Sequence, residues 1–378
     1  MAEKIFFPNS EQFDKMNVNL EKIAKAVGSQ VDISTWAGIQ KAVRAGIAPD
    51  ILPIGTQLKV NHSVYGEHLY DVVAHNYLKS AYDENAPTMT LLCHDQIGAF
   101  QFDSAEAFYY ANAVLPAGTY NFTLSTAYSS WAAGTYQFTT TLQIPKGGQI
   151  CINGYADIAM TSRKVTTYAS QNATSPLETL TITSGSSGTS LGSFGAELNH
   201  AQRVSYGSNN YKESAIRQFL NSPSAAGSVW TPQTKFDRPP SWVTSLAGFE
   251  SGLDSDFLAV VGEVIVPCSA NNTYESPDST VTKNTKYTVT DKFYLPSQKE
   301  IFGSTSETVA DDSVLFPYYQ GATNADRIKY RNGSAAHWWM RSASSWDATN
   351  VRIVGSGGSS SGSGAVNATG CSPACTIV

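Results

Sequence analysis

Three residue types used in nucleophilic catalysis stand side by side at Cys93, His94 and Asp95. A catalytic thiol must lie within hydrogen-bonding reach of its base, and the base within reach of the group that orients it. Adjacent residues in a β-strand point to opposite faces, so an extended tripeptide cannot form that relay. We therefore interpret these three residues as part of a strand edge or turn, not as a catalytic site.

The remaining groups that could bind a metal or a cofactor lack the required spacing. The six histidines, at positions 62, 68, 75, 94, 200 and 337, show no H-x-x-x-H or similar pattern for zinc. The adjacent Asp311 and Asp312 are interpreted as solvated carboxylates, and no spaced set of acidic and amide side chains suited to calcium occurs. No Gly-rich phosphate-binding motif stands between a strand and a helix. We predict no catalytic residue, no metal site and no cofactor.

The composition of the 378 residues indicates a globular, β-rich protein with an uncharged polar surface. Charged residues make up 15%, below the roughly one quarter that is usual for soluble domains, and apolar residues make up 42%. The formal net charge of −6 argues against nucleic acid as a partner, because phosphate binding needs a concentrated basic face. No run of about 18 apolar residues occurs, so we predict no membrane insertion.

The first residues and the cysteines indicate where the protein is made. The opening MAEKIFFPNSEQFDKMN contains no apolar core followed by a cleavage site, so it does not resemble a secretory signal. The five cysteines are odd in number and widely spread, which does not suit a disulfide framework. We therefore expect most of them to be buried thiols in a protein made in a reducing cytosol.

Residues 1–50 are predicted to be a helical segment for oligomerisation or attachment. Apolar residues in its first half follow one another at spacings of 3 and 4: Phe13, Met16, Leu20, Ile23 and Val27. This pattern suits either one amphipathic helix packed on its own domain or a two-heptad oligomerisation seam, which alone is too short to hold chains together. A second helix is predicted to begin at Ser34 or Thr35 and to end near Gly46.

Residues 51–165 are predicted to form a small β-sandwich-like domain. Apolar and polar residues alternate from Tyr120 to Leu124 and again from Tyr136 to Leu142, which indicates a hairpin with a long loop. An Ala-rich stretch over 104–113 predicts one helical interruption. Residues 166–190, dense in Ser, Thr and Gly, are predicted to be a linker or an exposed loop.

Residues 191–378 are predicted to form the second domain. A helix is expected through 214–221, and short strands are expected at 259–266 and 292–295. Between them lie long irregular stretches rich in Trp, Pro and Tyr. Long loops without regular structure are uncommon in compact domains unless they are functional.

The end of the chain carries the most specific pattern. His337-Trp-Trp-Met-Arg-Ser342 precedes Val351-Arg-Ile-Val354, and residues 355 to 364 are all Gly or Ser. The chain closes with Gly370-Cys-Ser-Pro-Ala-Cys-Thr-Ile377 and a final valine. The pattern reads W-W-x-R-S, a polar stretch, V-R-x-V, a second polar stretch, and G-x-x-P-A-x-x-I.

This pattern resembles the variable proteins of diversity-generating retroelements, a family that includes phage tropism determinants. SAIRQFLNS (214–222), DSDFLAVVGEV (254–264) and TDKFYLPSQKEIFG (290–303) also match sequences that recur in this group. The resemblance covers roughly 191–378. Residues 36–57, WAGIQKAVRAGIAPDILPIGTQ, are similar to the start of phage structural proteins of the same kind. The fold implied is α+β, with a C-type lectin-like domain related to formylglycine-generating enzymes, preceded by N-terminal helices and the small β-rich domain.

The resemblance also implies which residues vary. In this family a reverse transcriptase mutates template adenines, so that asparagine codons come to encode other residues on a rigid scaffold. The variable region would be about 341–370. The implied ligand-binding positions are Ser344, Trp346, Asp347, Thr349, Ile353, Gly355, Ser359, Ser361, Ser363, Val366 and Asn367. The implied scaffold positions are Trp338, Trp339, Arg341, Val351, Val354 and Pro373, with Ile377 in the apolar interior. Adenine changes in asparagine codons cannot produce Trp, so Trp346 is either fixed or departs from the pattern.

The Gly/Ser run leaves a second interpretation open, a flexible loop that binds nothing. A binding surface so poor in aromatic residues offers few anchors, since those are usually Trp, Tyr and Arg. We therefore expect weak binding by each copy, strengthened by avidity in a homo-oligomer, with a trimer favoured.

The expected function is that of a receptor-binding protein in a phage or prophage virion. It would be assembled in the bacterial cytoplasm, would contact other virion proteins at the tail or fibre, and would bind a bacterial surface protein or glycan. A variable adhesin on a bacterial surface and a purely structural tail component are the alternatives among non-enzymes. The alternative from another class is an oxidase like the formylglycine-generating enzymes, which use a cysteine pair. Cys371 and Cys375 do not match that motif, and we expect them to be buried on a closing strand.

Overall fold

The computed structural model describes residues 31–125, 132–153, 163–194, 203–271 and 285–378. The predicted heptad seam from Phe13 to Val27 lies outside these residues, so the two interpretations of it stay open. The described part of the chain is a mixed α+β protein dominated by strands. This agrees with the predicted fold class at that level.

The helices are short. In chain order they are α1 (Trp36–Arg44), α2 (Ala48–Ile51), α3 (Ala215–Leu220), α4 (Ser255–Leu258) and α5 (Gln298–Phe302). Helix α1 confirms the second predicted helix, because the Thr35 side chain accepts from the Gly38 amide and the chain leaves through Gly46 at a φ of 71°. Helix α3 confirms the helix predicted at 214–221, with the Ser214 hydroxyl accepting from the Arg217 amide. Single 3-10 turns occur at Tyr211–Glu213, Phe249–Gly252, Pro317–Tyr319 and Ala325–Arg327.

The described residues form 22 strands. They are β1 (Gln57–His62), β2 (Gly66–His75), β3 (Met89–Cys93), β4 (Gly98–Gln101), β5 (Tyr109–Tyr110), β6 (Gly118–Leu124), β7 (Gly134–Thr140), β8 (Gln149–Asn153), β9 (Lys164–Tyr168), β10 (Glu178–Thr181), β11 (Thr183–Ser184), β12 (Thr189–Phe194), β13 (Val264–Ala270), β14 (Thr285–Asp291), β15 (Phe293–Tyr294), β16 (Lys329–Arg331), β17 (Ser334–Ala336), β18 (Trp338–Ala343), β19 (Asn350–Val354), β20 (Ser360–Gly364), β21 (Ala368–Cys371) and β22 (Ala374–Ile377). Strand β15 confirms the short strand predicted at 292–295, whereas the strand predicted at 259–266 begins only at Val264.

The first sheet joins the two ends of the described chain. Its order is β1-β2-β3-β22-β15, and the central pair aligns Leu92 of β3 with Ala374 of β22. One core cluster accordingly runs from Ile39 to Phe102 and again from Tyr211 to Ile377. The predicted boundaries at 50/51 and 190/191 are therefore wrong. Residues 57–101 supply strands to the same body as the C-terminal segment.

The second sheet carries the predicted variable region. Its order is β20-β19-β18-β21-β4, so the Trp-Trp strand lies in the middle and the Gly/Ser-rich strand lies at one edge. Strands β18 and β19 are antiparallel, with Trp339 opposite Ile353, and β18 and β21 are parallel at Trp338 and Gly370. Every residue of β18 is buried. The last two strands thus belong to different sheets, β21 to the second and β22 to the first. This arrangement fixes the ends of the variable region to the core.

Strands β5 to β12 form a separate unit inserted into this body. They make two four-stranded sheets, β10-β9-β8-β5 and β11-β7-β6-β12, around a core of their own. The predicted hairpin is confirmed, with Tyr120 opposite Phe138. The predicted linker at 166–190 is wrong, because it contains β10, β11 and part of β12, and Asn121 Nδ2 donates to the carbonyls of Ser187 and Gly188.

The helix predicted at 104–113 is also wrong. The amides of Phe108 and Ala111 donate to the carbonyls of Ile150 and Gly148 in the neighbouring β8 region, at 2.8 and 2.9 Å. These long-range bonds replace the bonds to the fourth preceding residue that a helix requires. Tertiary pairing therefore overrides the helical propensity of the Ala-rich sequence.

A buried carboxyl lies where the inserted unit joins the body. Asp103 accepts from the Ser208 amide at 3.1 Å, and burial, followed by the neighbouring carboxyls of Asp237 and Glu106, raises the pKa of Asp103 well above its ordinary value. Glu106 itself pairs with Arg203, 2.5 Å between Oε1 and Nη2. The three carboxyls of Asp103, Glu106 and Asp237 are thus buried close to one another.

This raised pKa predicts the pH dependence of stability. The Asp103 carboxyl binds its proton more tightly in the folded than in the unfolded chain, so its contribution to stability is present below the unfolded-state pKa and is lost as pH rises through the folded-state pKa. We expect Asp103→Asn, which keeps an acceptor for Ser208, to be more stable than the wild type at about pH 8 and equally stable at about pH 4. Urea unfolding at both pH values measures the difference. A difference that does not change with pH would contradict it.

Candidate functional site

Residues 344–350, from the end of β18 to the first residue of β19, form a compact loop that we call the display loop. Its shape is set by Asp347. One carboxylate oxygen accepts from the Thr349 amide at 2.8 Å and the Asn350 amide at 2.6 Å, and the other accepts from Asn350 Nδ2 at 2.6 Å. Burial opposes ionisation of this carboxyl, but these hydrogen bonds lower the pKa of Asp347 below its ordinary value. The loop is therefore built around an ionised turn residue.

Two buried amide side chains hold the display loop from the body of the protein. Asn209 Nδ2 donates to the carbonyls of Asp347 at 2.8 Å and Asn350 at 3.1 Å. Asn271 Nδ2 donates to the carbonyls of Ser344 at 3.0 Å and Asp347 at 3.2 Å. Sequence reasoning missed both residues, and no local signal could have found them, because they lie far from the loop in the sequence. They bind three loop carbonyls, of which that of Asn350 also accepts from the Ser344 amide at the other end of the loop.

Removing the Asn271 side chain has an effect on the display loop that can be measured. Asn271→Ala leaves the carbonyls of the buried Ser344 and the partly exposed Asp347 with one donor fewer each, and we expect it to lower the free energy of unfolding by about 1–3 kcal/mol. We also expect faster amide hydrogen exchange over residues 344–350 than in the wild type. Native-state exchange read by mass spectrometry checks this, with Ser345→Ala, an exposed position in the same loop, as control. Unchanged exchange would show that Asn271 does not position the loop.

The loop presents one large aromatic residue to solvent. The amide of Trp346 donates to Ser344 Oγ at 3.2 Å and the amide of Ser345 donates to the Glu307 carbonyl at 3.1 Å, which fixes the backbone before the ring. The Asp347 carbonyl, bound by two buried amide side chains, fixes the backbone after it. The Trp346 side chain is nevertheless 77% exposed. A rigid backbone that exposes Trp is typical of an interface anchor, because little conformational entropy is lost when a partner covers the ring.

A cleft of about 410 Å³ lies beside the display loop, and we call it the display cleft. It is lined by Ser205, Tyr206, Asp347, Thr349, Asn350, Gly364, Val366 and Asn367. Four of these residues belong to the predicted ligand-binding set. Tyr206, which sequence reasoning missed, is 37% exposed, and its carbonyl accepts from the Val366 amide at 3.1 Å. The cleft therefore combines residues from the variable region with an aromatic residue outside it.

The Gly/Ser run is ordered, not a flexible loop. Its first half is a turn in which the Gly355 amide donates to the Ser359 carbonyl at 2.7 Å. Gly358 has a φ of 81°, and a Cβ there would lie 1.7 Å from the Asn324 carbonyl oxygen, so only Gly fits. Its second half is β20, paired in register with β19. Ser359 and Ser361 are exposed and Ser363 is partly exposed on this hairpin.

Four of the predicted ligand-binding residues are buried in the described structure, which corrects their predicted exposure: Ser344, Thr349, Ile353 and Gly355. Ile353 is 4% exposed because it lies opposite Trp339 and joins the core, and Thr349 bonds to Asp347. A sheet covered on both faces leaves no outward side for alternate residues of β19. The predicted ligand-binding residues that are exposed are Trp346, Ser359, Ser361 and Asn367, and those that are partly exposed are Asp347, Ser363 and Val366.

The predicted scaffold residues are all buried: Trp338, Trp339, Arg341, Val351, Val354, Pro373 and Ile377. The indole nitrogens of Trp338 and Trp339 donate to the carbonyls of Arg327 at 3.1 Å and Phe100 at 2.8 Å. Both indoles are therefore satisfied without water. Arg341 makes a buried ion pair with Glu300, in which the two Nη–Oε distances are 2.6 and 2.7 Å.

All five cysteines are buried as free thiols. Burial raises the pKa of Cys93 to about 12 and raises those of Cys371 and Cys375 as well, which disfavours the thiolate. His94 Nδ1 lies 2.8 Å from Asp71 Oδ2, so its partner is not one of its sequence neighbours. This hydrogen bond raises the pKa of His94.

Among the residues that the structure describes, no three His, Cys, Asp or Glu side chains are grouped so that they could hold a metal ion. Within the same ranges, no helix has the length and apolar character needed to cross a bilayer.

The C-terminal half of the chain matches a known protein family. Residues 183–378, which include the display loop and cleft, match the family model described as domain of unknown function DUF6273. No curated protein and no solved structure matches the chain. Since the match covers more than half of the sequence, the chain belongs to the DUF6273 family.

Proposed function

We propose that the chain is a ligand-binding protein, not an enzyme, and that its binding face consists of the display loop, the display cleft and the adjacent hairpin. The observation that carries the proposal is Trp346, exposed on a backbone that the buried Asn209 and Asn271 hold in place. Exposed Trp on a fixed loop beside a cleft is suited to recognition.

The finer fold we propose is that of a C-type lectin-like domain, related to formylglycine-generating enzymes. Three features support it. Strands from both ends of the described chain pair in one sheet, and the helices are short. Long segments with little regular structure run over 221–263 and 303–328. The W-W-x-R-S and V-R-x-V segments lie in the interior as β18 and β19, as the resemblance to retroelement variable proteins implies.

We further propose that the protein is the receptor-binding component of a phage or prophage virion, diversified at this face by a retroelement. The resemblance over 191–378 supports this role. The small side chains of Ser359, Ser361 and Ser363 support it as well, because substitutions at these positions would not disturb the ordered hairpin that carries them. The same face would serve a variable adhesin on a bacterial surface. The buried thiols argue against the oxidase alternative, which a copper-dependent thiol oxidation assay tests.

The ligand is a molecule on a bacterial surface, and the protein acts as a homo-oligomer, with a trimer favoured. Only one large aromatic residue of the face is mostly exposed, so several copies bound together would raise the affinity. Light scattering of the full chain and of a chain lacking residues 1–30 tests the oligomer. An unchanged number of subunits would exclude the heptad seam as its cause.

The binding proposal is tested on intact cells. The fluorescently labelled full chain is titrated against a panel of bacterial strains from many genera, and bound fluorescence is read by flow cytometry. We expect saturable binding to a small subset of strains, competed by unlabelled chain. Binding to none, or equal binding to all, would contradict a receptor-specific face.

A further inference from the structure

Among the residues that the structure describes, strand β20 has a neighbouring strand on one side only. It is the last strand in the order β20-β19-β18-β21-β4, and its partner β19 covers the other side. An edge strand presents backbone N–H and C=O groups that a further strand can bind. Which of its residues face outward follows from the phase of the β19–β20 ladder.

The Gly355 amide donates to the Ser359 carbonyl, so this pair is a hydrogen-bonded pair of the hairpin. Such pairs alternate along an antiparallel ladder with pairs whose groups point away from each other. Two steps along the register stands Ser361, opposite Ile353, as the next hydrogen-bonded pair. The backbone groups of Ser360 and Gly362 must then point to the open side.

A second contact confirms this phase independently. The carbonyl of Asn350 accepts from the Ser344 amide at 2.9 Å, so it faces away from β20. Asn350 is opposite Gly364, two residues beyond Gly362 in the same phase. Gly364 therefore also turns its amide outward, and the outward groups recur at every second residue over β20.

In the described ranges, no backbone or side-chain group bonds the outward amides and carbonyls of Ser360 and Gly362. The Ser360 side chain alone is engaged, accepting from Arg352 Nη2 at 2.8 Å. Natural edge strands are usually protected by Lys, Pro or a bulge. Strand β20 has none of these, since its sequence is SSGSG and its register is unbroken.

The open edge leads into the display cleft. Gly364 both ends β20 and lines the cleft, together with Tyr206, Val366 and Asn367. A strand added along β20 would therefore reach the cleft within its own length. One of its side chains could then fill the space beside Tyr206.

We propose that the ligand of this face is a polypeptide, bound as an extended strand that adds to the edge of β20, with a side chain in the display cleft. This inference rests on the proposed binding function and names the class of its ligand. Donors and acceptors that recur about every 7 Å match another extended backbone and not a sugar ring. Backbone recognition is also independent of the side chains at 361 and 363, so it persists when those residues vary, while the side chains and the cleft select the sequence.

The test uses a displayed library of random twelve-residue peptides, selected on the full chain, and two matched variants. Gly362→Pro removes an outward amide that the fold does not use, and edge strands tolerate Pro at such positions. Gly362→Ala keeps the amide, and its Cβ would have its nearest neighbours at 3.7 and 3.8 Å, which is ordinary contact. We expect selected peptides to bind Gly362→Pro about tenfold more weakly or worse, and Gly362→Ala like the wild type.

A second measurement does not depend on the variants folding. The selected peptide is N-methylated at one residue at a time. Added-strand binding predicts that methylation at alternate residues abolishes binding and that methylation between them has little effect. Peptides that bind without this alternation, and equally to both variants, would overturn the added strand and leave the binding face intact.

Two further outcomes separate this inference from the function on which it rests. If no peptide is selected but arrayed glycans bind in a manner that requires Trp346, the polypeptide class is wrong and the binding function stands. If neither peptides, glycans nor intact cells bind, both are wrong.

Discussion

Replacing Arg341 by methionine is expected to lower the free energy of unfolding by about 3–5 kcal/mol, the largest effect on stability that we predict. Arg341 and Glu300 are both fully buried and form a bidentate ion pair. The guanidinium also donates to the carbonyls of Leu295 at 2.7 Å and Pro267 at 2.8 Å. Methionine has a similar length but no charge, so it would leave the Glu300 carboxylate buried without its counter-ion.

The double variant Arg341→Met, Glu300→Gln is the matched control. Glutamine can still take part in the capping box that Glu300 forms with Ser297 at the start of α5, but it carries no charge to be compensated. We expect the double variant to recover part of the lost stability, as measured by denaturant unfolding of the full chain. If the single variant were within about 1 kcal/mol of the wild type, this pair would not link β18 to α5 in the way the contacts indicate.

Replacing Trp346 by alanine is expected to weaken ligand binding by about thirtyfold or more and to leave the fold intact. Truncating an interface anchor costs about 2 kcal/mol or more, which corresponds to that factor. The Trp346 ring contributes little to the core because it is 77% exposed. We therefore expect the free energy of unfolding to change by less than about 0.5 kcal/mol.

Tyr82→Ala is the control for Trp346→Ala. Tyr82 lies between β2 and β3 and is 80% exposed, so it matches Trp346 in size and exposure but is outside the binding face. Titration of each labelled variant against a cell strain that binds the wild type compares the three chains. Equal losses for both variants would mean that the ligand contacts aromatic surface without selecting this loop.

Several local elements can be predicted from the sequence because their signals are local. Helix α1 follows from its Thr35 cap and the Gly46 stop, and the β6–β7 hairpin follows from alternating residues. The resemblance also indicates that Trp338 and Arg341 belong to the interior. Such features depend on neighbours a few residues away, which the sequence displays directly.

What the sequence does not predict depends on contacts between distant segments. The pairing of β3 with β22 joins Leu92 to Ala374, and it overturns domain boundaries drawn from changes in composition along the chain. Asn209 and Asn271, which bind the display loop, are not part of any recognisable sequence motif. The burial of Ile353 could not be predicted either, because alternation in β19 indicates two faces but not that both are covered.

The central claim is that the exposed residues of this face are diversified and the buried ones are not, and the sequence of the gene tests it directly. We propose that this face is diversified through a template repeat, so sequencing the locus should find a near-copy of the segment coding for about 341–370 beside a reverse transcriptase gene. The account predicts that the two copies differ at adenines, in codons for exposed positions such as Ser359, Ser361 and Asn367, and agree at Arg341 and Trp346. A locus without such a repeat, or with differences concentrated at the buried scaffold codons, would contradict it.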